Sequence, residues 1–199
     1  MNECTQLTEL IEDAGLPYGR EDSFKLLPSG LLEGRTLLGI RTAELNLSRL
    51  QNIASILGMP PTYAPLLAEL FPQSNMAFVG VESSPGGTVW KVYLELWEAL
   101  RQRLRAHPGG TPAPGLLNVG VKWQPSSGMH CRADYLCHPL LSTAGILGRI
   151  RQLYRGASTP TASGVLEPLV RLAAQRRAQA SFLYVEVGED QGTRQSFDL

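Results

Sequence analysis

Met76-Ala-Phe-Val-Gly-Val-Glu-Ser-Ser-Pro-Gly-Gly-Thr-Val-Trp-Lys-Val-Tyr-Leu-Glu-Leu96 is the stretch on which the fold turns. Its first seven residues are apolar and β-prone, Ser83–Gly87 is a run of turn formers, and Thr88–Leu96 alternates side chains with period two. That is the signature of a β-hairpin. The arrangement returns downstream, with strand Leu116–Gln124, turn Pro125–Gly128 and strand Met129–Cys137. Val79-Gly80-Val81-Glu82 and Val119-Gly120-Val121-Lys122 match locally, their glycines 40 residues apart, so the pair reads as an internal duplication. A third hairpin is expected from Phe182–Val187, the turn Gly188–Gly192 and Thr193–Leu199.

Helices separate the hairpins. Trp97–Ala106, Ser142–Tyr154 and Val165–Ala180 carry helical periodicity, and the breaker-rich stretches His107–Gly115 and Gly156–Gly164 read as loop and linker. Residues 1–75 read as mainly helical: Cys4–Ala14, Leu45–Leu57 closed by Gly58 ahead of Pro60, and Tyr63–Phe71. Two short strands, Phe24–Leu27 and Arg35–Thr42, interrupt them, the second equally readable as the entry to the following helix. The expectation is a single α+β domain over 1–199. It is an antiparallel sheet of repeated hairpin–helix units with helices on one face, curling into a closed or partial barrel.

Bulk properties exclude several classes. With 199 residues the chain can bury a core without metal or disulfide. Lys+Arg and Asp+Glu are balanced at 18 each, so no basic field recruits nucleic acid. No run approaches the roughly 18 apolar residues of a membrane span. Cys4, Cys131 and Cys137 are an odd set, and the first ten residues carry Glu3 and Glu9 without an apolar run. A reducing, cytoplasmic setting is expected.

Alternation assigns the strand faces. Trp90, Val92 and Leu94 share one side; Lys91, Tyr93 and Glu95 share the other, with Glu82 and Lys122 on that polar side in the partner strands. His130, Arg132 and Asp134 oppose Cys131, Ala133 and Tyr135. In the last hairpin Tyr184, Glu186, Arg194, Ser196 and Asp198 continue the theme. Such a face can be simply solvated, its charges paired across strands. If the sheet closes, Lys91, Lys122, Arg132 and Arg194 would instead converge on an anion, with Tyr93 and Tyr184 as hydroxyl donors.

Lys91-x-Tyr93 on a strand after a glycine-containing turn, inside ββα units, resembles the ABBA (PT-barrel) aromatic prenyltransferases over residues 76–199. The resemblance implies a barrel holding an allylic diphosphate, Lys91 and Tyr93 in diphosphate contact, and an aromatic acceptor, with no cofactor beyond a Mg ion accompanying the diphosphate. Arg132 occupies the corresponding strand of the next unit, followed by Asp134 where that family often repeats Lys or Tyr. Glu82, Glu95 or Glu186 would take the proton lost on rearomatisation. A second reading stands beside it. The chain would be a non-catalytic module engaging a protein or small molecule through its sheet face or an edge strand, and the strand at Thr193–Leu199 offers an edge to a second copy. Cys131, Cys137 and His138 lack zinc spacing, so no metal site is expected. The glycine-rich turns match no nucleotide-binding pattern. Trp90, Trp97 and Trp123 read as packing residues, and Arg171, Arg176 and Arg177 as a solvated helix face.

Overall fold

Turn chemistry and two-residue periodicity produce four hairpins laid side by side. In the computed structural model, which describes residues 2–27, 30–84, 86–106, 113–154, 160–176, 183–190 and 195–198, they form one eight-stranded antiparallel sheet in the order β1 to β8. The strands are β1 Gly19–Leu27, β2 Gly30–Arg41, β3 Met76–Ser84, β4 Gly87–Glu95, β5 Gly115–Gln124, β6 Met129–His138, β7 Tyr184–Glu189 and β8 Gln195–Asp198. The sheet curls into a half-barrel that stays open, with β1 and β8 as its edges. The α+β antiparallel class read from the sequence is therefore found, in its partial-barrel form.

Among the described residues six α-helices accompany the sheet: α1 Glu3–Asp13, α2 Leu47–Ile56, α3 Ala64–Leu70, α4 Trp97–Ala106, α5 Thr143–Leu153 and α6 Pro160–Arg176. Asn2, Asn46 and Ser142 cap α1, α2 and α5 by accepting from the backbone N–H three residues on. Gly58 ends α2 with φ +79°, as its place ahead of Pro60 suggests. The Trp123 indole N–H donates to the Leu57 carbonyl at 2.9 Å, which ties that helix end to β5.

The main core lies between α1–α3 and one face of β2–β5. Leu7, Ile11, Leu50, Ile53 and Leu67 meet Leu38, Val79, Trp90, Val92, Val121 and Trp123 there. Each such side chain stabilises the fold by about 1.5–3 kcal/mol. A second cluster joins α5 and α6 to Tyr184 and Phe197 on the same face of the sheet.

Three features differ from the sequence reading. Residues 19–41 form a long hairpin rather than two short strands, because Leu38 and Ile40 are core residues of a strand paired with β3. Helix α6 already runs at Pro160, inside the segment read as linker, and is described to Arg176; its expected end at Ala180 lies outside the described residues. Helix α4 does not join the other helices. Its Leu100 packs with Leu117, Cys137 and Val185, and the register places Cys137 and Val185 on the opposite face. A bulge between Leu116 and Asn118 goes with this packing, since it turns Leu117 toward α4.

Candidate functional site

The face opposite the main core carries a groove. Register fixes its membership: Gly80, Lys91, Lys122 and Cys131 line up across β3–β6, and the next row is Phe78, Tyr93, Gly120 and Ala133. Lys91, Tyr93, Glu82, Glu95 and Lys122 thus share one face, as alternation requires.

Glycines make room for the rings. A Cβ on Gly120 would sit 2.3 Å from Tyr93 Cδ1, and one on Gly39 would sit 2.9 Å from Phe78 Cε1. Leu37 lies over Gly80 in the same way, at 2.7 Å. Each large side chain therefore rests on the backbone of the neighbouring strand, a close approach that only glycine admits. The Tyr135 ring stands edge-on to Tyr93, centroids 5.7 Å apart. Phe78, Tyr93 and Tyr135, with Glu21, Arg35, Lys91, Glu95 and Asn118, line a cavity of about 290 Å³. A second hollow of about 540 Å³ runs on from it toward β1 and Arg41, sharing Glu21, Leu37 and Phe78 as walls.

Lys91 and Lys122 are paired on this face. Glu82 Oε2 accepts from Lys91 Nζ at 2.6 Å and from Arg35 Nε at 3.1 Å. Lys122 Nζ donates to Glu189 Oε1 at 2.7 Å. Glu95 accepts from the side-chain amide of Asn75. Lys91 is only 8% exposed. Burial holds its pKa below the ordinary lysine value; the Glu82 contact opposes that shift, while the Arg35 and Lys122 charges add to it.

No family model, characterised protein or solved structure matches this chain. The site is accordingly read from its own geometry.

Three of the expected site residues, Arg132, Tyr184 and Glu186, lie elsewhere. Arg132 pairs across strands with Val121, which puts it on the helix face, away from Lys91 and Lys122. There it forms an ion pair with Asp134 at 2.7 Å, both side chains more than a third exposed. Tyr184 is fully buried on that same helix face, stacked on Phe197 and donating to Glu186 at 3.1 Å. Glu186 also takes both arms of Arg149, at 2.8 and 2.5 Å, and His138 Nε2 lies 3.3 Å away without a hydrogen bond. Arg194 lies outside the described residues. The sequence reading phased β6 and β7 by their charges, whereas register decides: Cys131, Ala133, Tyr135, Val185 and Val187 are the residues facing the groove side.

Cys131 and Cys137 share a face and His138 takes the other, so they do not converge; burial pushes the Cys137 thiol up to about 11. Among the described residues no three His, Cys, Asp or Glu side chains are grouped to hold a metal ion. No helix among them is long and apolar enough to cross a membrane.

Arg35, Phe78, Tyr135 and Glu189 entered the site without being singled out in the sequence. Lysine occurs only at positions 25, 91 and 122, against 15 arginines among the 18 basic residues, and two of those three lysines meet on this face.

Proposed function

We propose that this chain is a non-catalytic binding module that takes a small, uncharged, ring-bearing molecule in the groove on its sheet face. One observation carries the reading. Phe78 and Tyr93 are fixed over Gly39 and Gly120 as the walls of a cavity of about 290 Å³. That volume is near the lower end of small-molecule sites. Rings held in place before the ligand arrives lose little freedom on binding, and aromatic contacts add about 0.5–1.5 kcal/mol each beyond burial.

Charge argues for an uncharged ligand. Lys91 and Lys122 already hold carboxylates, and Glu21 and Glu95 also line or rim the cavity. An incoming diphosphate would have to displace Glu82 or Glu189, and a half-buried carboxylate stripped of its partner costs several kcal/mol. The prenyltransferase-like reading keeps one supporting observation: Lys91, Tyr93 and Lys122 share this face in adjacent strands.

Thermal unfolding with ligand panels separates the two. Uncharged ring compounds such as indole, phenols and nucleosides should raise the melting temperature. A ligand at a hundred times its Kd contributes about 2.7 kcal/mol, equivalent to roughly 5–10 °C for a chain of this size. The Tyr93→Ala variant should lose the effect, and pyrophosphate with Mg should give none. Stabilisation by pyrophosphate and by no ring compound would replace this reading with the transferase one.

A further inference from the structure

Lys91 and Lys122 are not placed as ordinary surface cations, since both side chains are largely buried. Arginine fills 15 of the 18 basic positions, yet of the two cations that line the cavity, Arg35 and Lys91, the more deeply buried is a lysine. Arginine pairs with carboxylates better, through two parallel hydrogen bonds, and it does not give up its proton. A paired, buried position that carries lysine instead keeps the one property arginine lacks, an amine that can be freed.

We infer that Lys91 is a nucleophilic amine that forms a reversible imine with an aldehyde or ketone group on the molecule bound in the groove. This rests on the small-molecule reading above and names the chemical class of the ligand. The geometry supplies each part. Lys91 lines the cavity, while Lys122 beside it does not. Glu82 Oε2 is 2.6 Å from Lys91 Nζ and can accept the ammonium proton. Arg35 at 3.1 Å anchors that carboxylate from the other side, so it stays in place while Lys91 reacts. Burial and the neighbouring Arg35 and Lys122 charges act in the same direction, toward the free amine.

The step balances without any co-reactant. Glu82 takes a proton from the Lys91 ammonium, and the nitrogen lone pair forms a C–N bond to the carbonyl carbon as the C=O π pair moves to oxygen. A proton passes from nitrogen to oxygen, giving the carbinolamine. Glu82 then returns its proton to the hydroxyl, which leaves as water while the nitrogen lone pair forms C=N. Ammonium plus carbonyl becomes iminium plus water; the Lys91–Glu82 pair is neutral at the carbinolamine, and the ammonium before it and the iminium after it each lie beside the Glu82 carboxylate.

The test is reductive trapping on the full chain at neutral pH. Benzaldehyde and acetaldehyde are each added with sodium cyanoborohydride, and adducts at Lys25, Lys91, Lys122 and the N-terminus are quantified by peptide mass mapping. The expected result is that Lys91 is labelled about tenfold or more ahead of the other lysines, because a positioned amine meets the carbonyl at high effective concentration. The Lys91 preference should persist to lower pH than labelling of Lys25. A Lys91→Arg variant, which keeps a cation for Glu82, should lose that adduct and leave the rate at Lys25 unchanged. Labelling led by Lys25 or the N-terminus with both aldehydes would overturn the inference. The ratio of benzaldehyde to acetaldehyde at Lys91 reads the groove separately. Strong Lys91 labelling by both with no gain for the ring supports the amine and counts against ring binding.

Discussion

Glu82 holds two cations, while Lys91 holds one carboxylate, and the difference predicts an asymmetry between their variants. Glu82→Gln leaves the largely buried Lys91 beside Arg35 without their carboxylate and should cost about 3 kcal/mol. Lys91→Met leaves Glu82 paired with Arg35 and removes a buried charge, so its cost should be at least about 1 kcal/mol smaller. Urea unfolding of the two variants measures this, and equal losses would contradict the pairing. At Gly120 the consequence is steric. A methyl group 2.3 Å from Tyr93 Cδ1 must expel the ring, so Gly120→Ala should cost about 1–3 kcal/mol and weaken ring-compound binding. Alternation alone made the shared face of Glu82, Lys91, Tyr93, Glu95 and Lys122 readable. It gave no access to Glu189, which reaches Lys122 across 67 residues. Nor could it phase Arg132, whose side depends on which β5 residue it pairs with.

Helix ends and strand pairings were legible where a single residue type decides them. Gly58 closes α2 as expected, whereas its cap Asn46 fell inside the helix as read from Leu45, and Trp97–Ala106 is found as a helix. The side of the sheet on which α4 lies was not legible, because it depends on a one-residue bulge at Leu117 that no local pattern marks. Gly148 offers a contrast to the sheet glycines. It sits in the exposed interior of α5 with nothing near its missing Cβ, so Gly148→Ala should stabilise the protein by about 0.5–1 kcal/mol in the same urea assay. The α5–β7 contact sets an acid response. Burial alone would raise the Glu186 pKa, but the Arg149 and Tyr184 hydrogen bonds outweigh it and hold it below the ordinary value of 4.5. Its stabilisation is therefore complete above that value and lost as pH falls through the lower folded-state pKa. Removing the guanidinium takes away the strongest of the lowering contacts, so Arg149→Gln should begin to lose stability at a higher pH than the wild type. Acid titration followed by circular dichroism checks this, and coincident acid transitions would rule it out.

At the scale of the whole molecule, the eight strands form a meander in which every pairing joins chain neighbours. Two hairpins and their repeat were readable from residues 76–137. The first hairpin was not, because Arg35–Arg41 is as compatible with a helix entry as with a strand until β3 is there to pair with it. Burial divides into a large cluster over β2–β5 and smaller ones around α4 and around α5, α6 and β7. Amide hydrogen exchange should accordingly be slowest in β3 and β4 and faster in β7 and β8, since opening free energy follows local burial. Uniform protection would show one cooperative core instead. The half-barrel leaves one face partly uncovered, and the function proposed here depends on that face taking a ring. Aromatic ¹H–¹³C NMR spectra recorded while an uncharged ring compound is titrated in test this most directly. The expected result is saturable shifts at Phe78, Tyr93 and Tyr135 before any change at Tyr63, Tyr154 or Tyr184. Shifts confined to the helix-side tyrosines, or none at millimolar ligand, would contradict it.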